Sequence, residues 1–98
     1  MIRFIKVAGS SLSPFFLPGD YVMISRSRLL AGELEQGDII VFDHPEHGRL
    51  IKMIASVPDP DHLVVTGYRP ESIDSTSFGP IPRSSVIGKV IWHISRRL

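Results

Sequence analysis

Two short segments of the sequence contain side chains that could perform acyl-transfer chemistry. The first is Gly9-Ser10-Ser11-Leu12-Ser13-Pro14, in which Ser11 follows an apolar stretch and is flanked by Gly and Pro. Glycine lets the backbone approach a substrate carbonyl closely, and backbone N–H groups around such a turn can stabilise an oxyanion. Taken alone, the segment fits an ordinary serine-rich β-turn better, so it does not identify a nucleophile by itself.

The second segment, Arg49–Ala55, places one lysine inside an apolar run. Side chains alternate along a strand, so one face carries Leu50, Lys52 and Ile54, and the other carries Ile51, Met53 and Ala55. If Lys52 points inward, desolvation favours the neutral amine and lowers the pKa, and a neutral amine can accept the proton of a serine hydroxyl. The alternative is an edge-strand lysine whose ammonium reaches water.

A long polar loop, Thr66–Gly79, follows a further apolar run. Loops on a rigid scaffold often carry function, and Ser72 and Asp74 could orient a lysine ammonium by hydrogen bond and charge. A solvated loop with Asx- and Ser-turns would have the same composition.

The elements that must position these side chains are predicted to be short strands. Eight Gly and eight Pro fall between apolar runs rich in Val, Ile, Phe and Tyr, which favours a mostly β domain. The predicted strands are Arg3–Val7, Tyr21–Ser25, Asp38–Phe42, Arg49–Val57, His62–Thr66 and Val86–Ile94. Turns are expected at 44–48 and 58–61, and only 27–35 fits a short helix. We expect a compact antiparallel sheet or partly closed barrel.

Length and composition limit the remaining possibilities. The 98 residues fit one domain, 1–98, and a formal net charge of +1 disfavours nucleic acid or an anionic membrane as a partner. Without cysteine there is no thiol nucleophile or disulfide. No stretch approaches the roughly 18 apolar residues of a membrane span, and Arg3 and Lys6 interrupt the apolar N-terminus. We therefore expect a soluble, cytoplasmic protein without a membrane anchor.

The segments occur together with other short motifs in a characteristic order. Gly19-Asp20 begins eight residues after Ser11, and the later motifs are Gly37-Asp38-Ile39-Ile40-Val41-Phe42, Ile51-Lys52, Gly67…Ser72-Ile73-Asp74-Ser75, Phe78-Gly79-Pro80-Ile81 and Gly88-Lys89-Val90. In this order they resemble the type I signal peptidase family of Ser–Lys endopeptidases, across roughly residues 7–90.

The resemblance implies a role for each matched residue. Ser11 is expected to be the nucleophile and Lys52 the general base, with Ser72 orienting Lys52 and Asp74 supporting that loop. The N–H of Ser11 is expected to contribute to the oxyanion hole.

Other matched positions concern substrate binding and departures from the family pattern. Leu12 and Pro14 are expected near the substrate pocket, and Gly9 stands where some relatives have a serine hydroxyl, so no side-chain donor is available there. Met53 and Thr76 replace arginines of the family pattern, which puts the geometry of the Ser72–Asp74 loop in question more than the dyad.

The family's activity implies a precursor protein or peptide as partner, no metal or organic cofactor, and removal of a leader or propeptide. The sequence lacks the membrane anchor and inserted β-domain of larger members. Short members of this layout resemble the nickel-type superoxide dismutase maturation protease, which implies a superoxide dismutase precursor as substrate. The oligomeric state is not predicted.

Three other interpretations remain open from the sequence. One is a self-cleaving, repressor-type Ser–Lys peptidase domain, although no helix-turn-helix region precedes the domain. Another is a non-catalytic peptide-binding module that kept the fold, which the altered Gly67–Gly79 segment favours. A zinc site at His44 and His47 is disfavoured, because Pro45-Glu46 between them predicts a turn.

Overall fold

Apolar runs separated by Gly and Pro form seven β-strands in the part of the chain that the structure, a computed structural model, describes: residues 2–6, 19–26, 34–67 and 79–94. The strands are β1 (Ile2–Lys6), β2 (Tyr21–Ser25), β3 (Ile39–His44), β4 (Gly48–Asp59), β5 (His62–Thr66), β6 (Ile81–Pro82) and β7 (Val86–Ile94). One 3₁₀ turn, Arg83–Ser85, precedes β7. Within these ranges, no helix is long and apolar enough to cross a membrane.

All strands join one antiparallel sheet in the order β1-β2-β7-β3-β4-β5-β6. The sheet is not closed, because its edge strands β1 and β6 do not pair with each other within the described ranges. The predicted fold class is therefore confirmed as a compact, mostly β antiparallel sheet, and closure into a barrel is not seen. The central strand β3 lies between β7 and β4, so it is paired with a neighbouring strand along both edges.

Strand boundaries follow the sequence closely where apolar residues set them. The bounds of β2, β5 and β7 are as predicted, and the turn between β3 and β4 occupies 45–47. Strand β4 continues through Pro58 to Asp59, beyond the predicted end, in an exposed stretch where its pairing with β5 is irregular and a missing N–H is tolerated. The expected helix 27–35 lies mostly outside the described residues, and Leu34 and Glu35 are not helical.

Two apolar clusters form because alternate side chains of the central strands point to opposite faces. In β3, Ile40 and Phe42 belong to the first cluster and Val41 to the second. The first cluster contains Leu34, Ile40, Phe42, Ile54, Leu63, Val65, Ile81 and Val86; the second contains Val22, Ile24, Val41 and Ile51. Full burial of one such side chain contributes about 1.5–3 kcal/mol, so these clusters hold the sheet together.

The missed element is β6, whose two residues pair only with His62 and Leu63 of β5. A two-residue strand has no alternating pattern, which is why the sequence does not reveal it. Its Ile81 is buried and joins the first cluster, so it closes that cluster beyond β5.

Gly88 marks the closest packing between β7 and β2. A Cβ built at Gly88 would lie 2.7 Å from Cδ1 and 2.8 Å from Cβ of Ile24, which is fully buried. Real Cβ atoms do not approach other atoms this closely, so only glycine fits without a shift of the strands.

Gly88→Ala is therefore expected to lower the free energy of unfolding by about 2 kcal/mol through overpacking against Ile24. The measurement is urea unfolding followed by circular dichroism. Gly48→Asn is the matched control: Gly48 has open space around its Cβ position and a φ of +73°, which asparagine adopts more easily than other side chains. Equal losses in the two variants would contradict the packing explanation.

Candidate functional site

Lys52 is buried in the interior of the sheet. It lies on β4, between β3 and β5, directly opposite Ile40, and only 1% of its surface is exposed. The sequence left two orientations open for this lysine; the inward one is observed, and the edge-strand lysine reaching water is not. Burial by itself disfavours a charged ammonium.

The neighbours of Lys52 along β4 separate as the strand alternation predicts. Ile54 belongs to the first apolar cluster and Leu50 packs against it, whereas Ile51 and Met53 belong to or pack against the second. Lys52 thus shares its face with the apolar side chains of the first cluster. An amine in such surroundings is held rigidly by packing, which is what a proton acceptor of fixed geometry requires.

An apolar cavity of about 200 Å³ adjoins the strand that carries Lys52. Its lining is Ile5, Lys6, Val22, Val41, Arg49, Leu50 and Ile51, contributed by β1, β2, β3 and β4. The apolar part of this lining, apart from Leu50, belongs to or packs against the second cluster, on the face of β4 opposite to that of Lys52. Two cations belong to the lining, and one of them, Arg49, is paired with Asp43 at 3.1 Å between Nε and Oδ1. A pocket of this kind can accept an apolar side chain and leave polar groups at its opening.

Gly9, Ser11, Leu12 and Pro14 lie outside the described residues, but the attachment points of their segment do not. The segment leaves β1 after Lys6 and reaches β2 at Tyr21, and these two residues are paired across the sheet. Lys6 also lines the cavity. Ser11 is thus five residues from a residue of the cavity lining, a chain length that spans at most about 17 Å.

Ser72 and Asp74 also lie outside the described residues, between Gly67 and Gly79. Their segment leaves β5 after Thr66, which is paired with Met53, the residue next to Lys52. The segment of Ser11 therefore starts at the cavity lining, and the segment of Ser72 and Asp74 starts beside the strand that carries Lys52.

The sequence did not reveal a hydrogen-bonded pair of Asp20 and His93. Nε2 of His93 lies 2.7 Å from Oδ2 of Asp20, whose side chain is 2% exposed. Asp20 ends the segment that carries Ser11, and His93 lies on β7, so the pair fastens the end of that segment to the sheet. Gly19-Asp20 was visible as a motif, but its partner lies 73 residues away.

A second missed pair joins Asp38 to Lys89. Nζ of Lys89 lies 3.3 Å from Oδ1 of Asp38, and both side chains are largely buried. Both residues belong to motifs noted in the sequence, Gly37–Phe42 and Gly88–Val90, yet only the pairing of β3 with β7 brings them together.

His44 and His47 stack at the β3–β4 turn, with ring centroids 4.7 Å apart. Nδ1 of His44 accepts hydrogen bonds from the N–H groups of Glu46 and His47, at 3.1 and 3.3 Å, so that nitrogen is engaged in forming the turn. In the described ranges, no three His, Asp or Glu side chains converge as a metal site would require.

Comparison with protein-family models gives one match, to the model described as "Signal peptidase, peptidase S26", over residues 1–65. The matched region contains Ser11 and Lys52 and ends before Ser72 and Asp74. Comparison with curated protein sequences found no significant match.

The two Asp–His pairs of the sheet allow a matched stability test. His93→Ala is expected to lower the free energy of unfolding by about 2 kcal/mol, because it leaves the buried carboxylate of Asp20 without that partner. His62→Ala is the control: His62 and Asp59 are each 49% exposed, and a pair of this kind contributes little. Urea unfolding at neutral pH measures both, and similar losses would contradict a structural role specific to the buried pair.

Proposed function

We propose, for a chain that belongs to the signal peptidase family (peptidase S26), that Ser11 and Lys52 form a catalytic dyad that removes a leader or propeptide from a precursor protein. The family match makes the chain a signal-peptidase-like serine peptidase. The identity of the dyad and of the cleaved segment is the proposal.

The observation that carries the proposal is the burial of Lys52. A lysine in water is protonated at neutral pH, with a pKa near 10.4, and cannot act as a base. Removal from water disfavours the ammonium and lowers the pKa, which is how enzymes obtain a lysine base. Within the matched region, Ser11 lies in the Gly- and Pro-flanked segment that starts beside the cavity.

The proposed reaction proceeds through an acyl-enzyme. Neutral Lys52 takes the proton of the Ser11 hydroxyl, whose oxygen attacks the scissile carbonyl, and the N–H of Ser11 donates to the oxyanion. Lys52 then gives the proton to the leaving amine as the C–N bond breaks. In the second step Lys52 takes a proton from water as the water oxygen attacks the ester carbonyl; the C–O bond to Ser11 then breaks, Lys52 returns the proton to the Ser11 oxygen, and the acyl product leaves as a carboxylic acid. In this scheme Ser72 orients Lys52 and Asp74 supports the loop.

The substrate is proposed to bind as an extended chain beside β1 and β4, which both contribute to the cavity. Main-chain hydrogen bonds to a strand would provide affinity, and alternate side chains would be read by pockets. One apolar side chain would fill the cavity formed by Ile5, Val22, Val41 and Ile51. Leu12 and Pro14 are proposed to border the same path.

Ser11→Ala and Lys52→Met are expected to abolish cleavage of a candidate precursor. The first precursor to test is a nickel superoxide dismutase with its propeptide, since short members of this layout resemble its maturation protease. Methionine at position 52 fills the buried space without an ionisable group. Ser10→Ala and Ser13→Ala are matched controls in the same segment and are expected to retain activity. Intact mass of the products is the measurement.

The same variants separate the other interpretations. Covalent labelling of Ser11 by a phosphonate or lactam probe in the wild type, and its loss in Ser11→Ala, would exclude a non-catalytic peptide-binding module. Cleavage of the chain itself during incubation at high pH would favour a self-processing repressor-type domain. A precursor cleaved equally well by wild type and Ser11→Ala would contradict the dyad.

The rate of Ser11 acylation is expected to rise with pH. The base must be unprotonated, so the rate increases as pH passes through the pKa of Lys52, which burial places below the ordinary lysine value. The measurement is the rate of labelling by a neutral phosphonate probe from pH 5 to 10. A rate that is independent of pH across this range would contradict a lysine base.

A further inference from the structure

By the alternation of side chains along paired strands, Asp38 belongs to the same face of the sheet as Lys52. The N–H of Ile54 donates to the carbonyl oxygen of Asp38 at 2.8 Å, and the N–H of Gly37 donates to the carbonyl oxygen of Ile54 at 2.9 Å, so Asp38 is opposite Ile54. Since Ile40 is opposite Lys52, Asp38 is its diagonal neighbour, about 7–8 Å away between backbone positions.

Both oxygens of this carboxylate are engaged elsewhere. Oδ1 lies 3.3 Å from Nζ of Lys89, and Oδ2 accepts a hydrogen bond from the N–H of Glu35 at 2.9 Å. Lys89 is opposite Ile40 on the β7 side, so Asp38 is also its diagonal neighbour. The carboxylate thus has a lysine on each side, and it pairs with Lys89.

The choice of partner matters because a carboxylate near an amine favours the charged ammonium. If Asp38 paired with Lys52, it would offset the desolvation that burial imposes on that amine. The other described ionisable group on this face of β3 and β4 is His44, about 13 Å along the strand from Ile40, too far to compete for Asp38. On β5, the face shared with Ile54 presents Leu63 and Val65, which are not ionisable.

We propose that Lys89 is a positioning residue that holds the Asp38 carboxylate away from Lys52, so that Lys52 can act as a neutral base. This inference rests on the proposed role of Lys52. It assigns to the Asp38–Lys89 pair an effect on the site beyond the stability of the sheet, since the pair joins β3 and β7 next to the strand that carries the base.

The test uses the fact that the chain has only three lysines, Lys6, Lys52 and Lys89. Titration of the ¹³Cε resonances of labelled lysine reads the protonation of Lys52 directly, and Lys52→Met assigns its signal. Lys89→Met is expected to raise the titration midpoint of Lys52 by about one pH unit, because Asp38 is freed to pair with it. The acid limb of the Ser11 acylation profile is expected to move upward with it.

Two further variants distinguish this effect from a structural one. Lys89→Arg keeps the cation and is expected to retain the wild-type midpoint. The double variant Asp38→Asn/Lys89→Met has neither charge and is expected to return the midpoint close to that of the wild type. Asp38→Asn alone keeps the cation of Lys89 and is expected to lower the titration midpoint of Lys52. Urea unfolding identifies the pH range over which each variant is folded.

A midpoint in Lys89→Met equal to that of the wild type would overturn the inference, as would an upward shift that persists in the double variant. Failure of the dyad proposal has a different result: wild-type Ser11 would not be acylated at any pH. That result would also contradict the positioning role of Lys89, because Lys52 would not act as a base. Acylation of the wild type with unchanged midpoints in the Lys89 variants would leave the dyad intact and refute the role of Lys89 alone.

Discussion

An ammonium group taken out of water into the middle of a β-sheet must either be compensated or lose its proton, and Lys52 places this constraint on the whole domain. Its strand has neighbours on both sides, and its face is filled by the first apolar cluster. Burial of a charge is costly, and a buried titratable group is a candidate for a functional role. The membership of the chain in a serine peptidase family agrees with that reading.

Strand β7 contributes one partner to each of two side-chain pairs described above, Asp20–His93 and Asp38–Lys89. Its His93 fastens the end of the Ser11 segment through Asp20, and its Lys89 engages Asp38 beside Lys52. The close approach of Ile24 to Gly88 joins β7 to β2 beside Lys89. One strand near the end of the chain thus links the segment of the proposed nucleophile to the strand of the proposed base.

Strands whose ends are defined by turn residues were predictable, because apolar alternation and Gly or Pro punctuation are local properties. Strand β6 was not predictable, since two residues carry no alternating pattern. The extension of β4 through Pro58 was not predictable either, because it depends on irregular, exposed pairing with β5 that tolerates proline. The alternation predicted that Lys52 shares its face with Leu50 and Ile54, but both faces of the strand are apolar, so its burial was decided by the strand pairing. The roles of Ser11, Ser72 and Asp74 remain predictions, since these residues lie outside the described ranges.

The sequence alone determined that one lysine shares a strand face with apolar residues, since alternation along β4 is set by the pleat of the backbone. Its ordered motifs also indicated the signal peptidase family, which the family match supports over residues 1–65. Only the tertiary structure decided that β4 is interior and that Asp38 pairs with Lys89. Those facts depend on strand pairing between distant segments, and the spacing of residues along the chain does not specify which strands become neighbours.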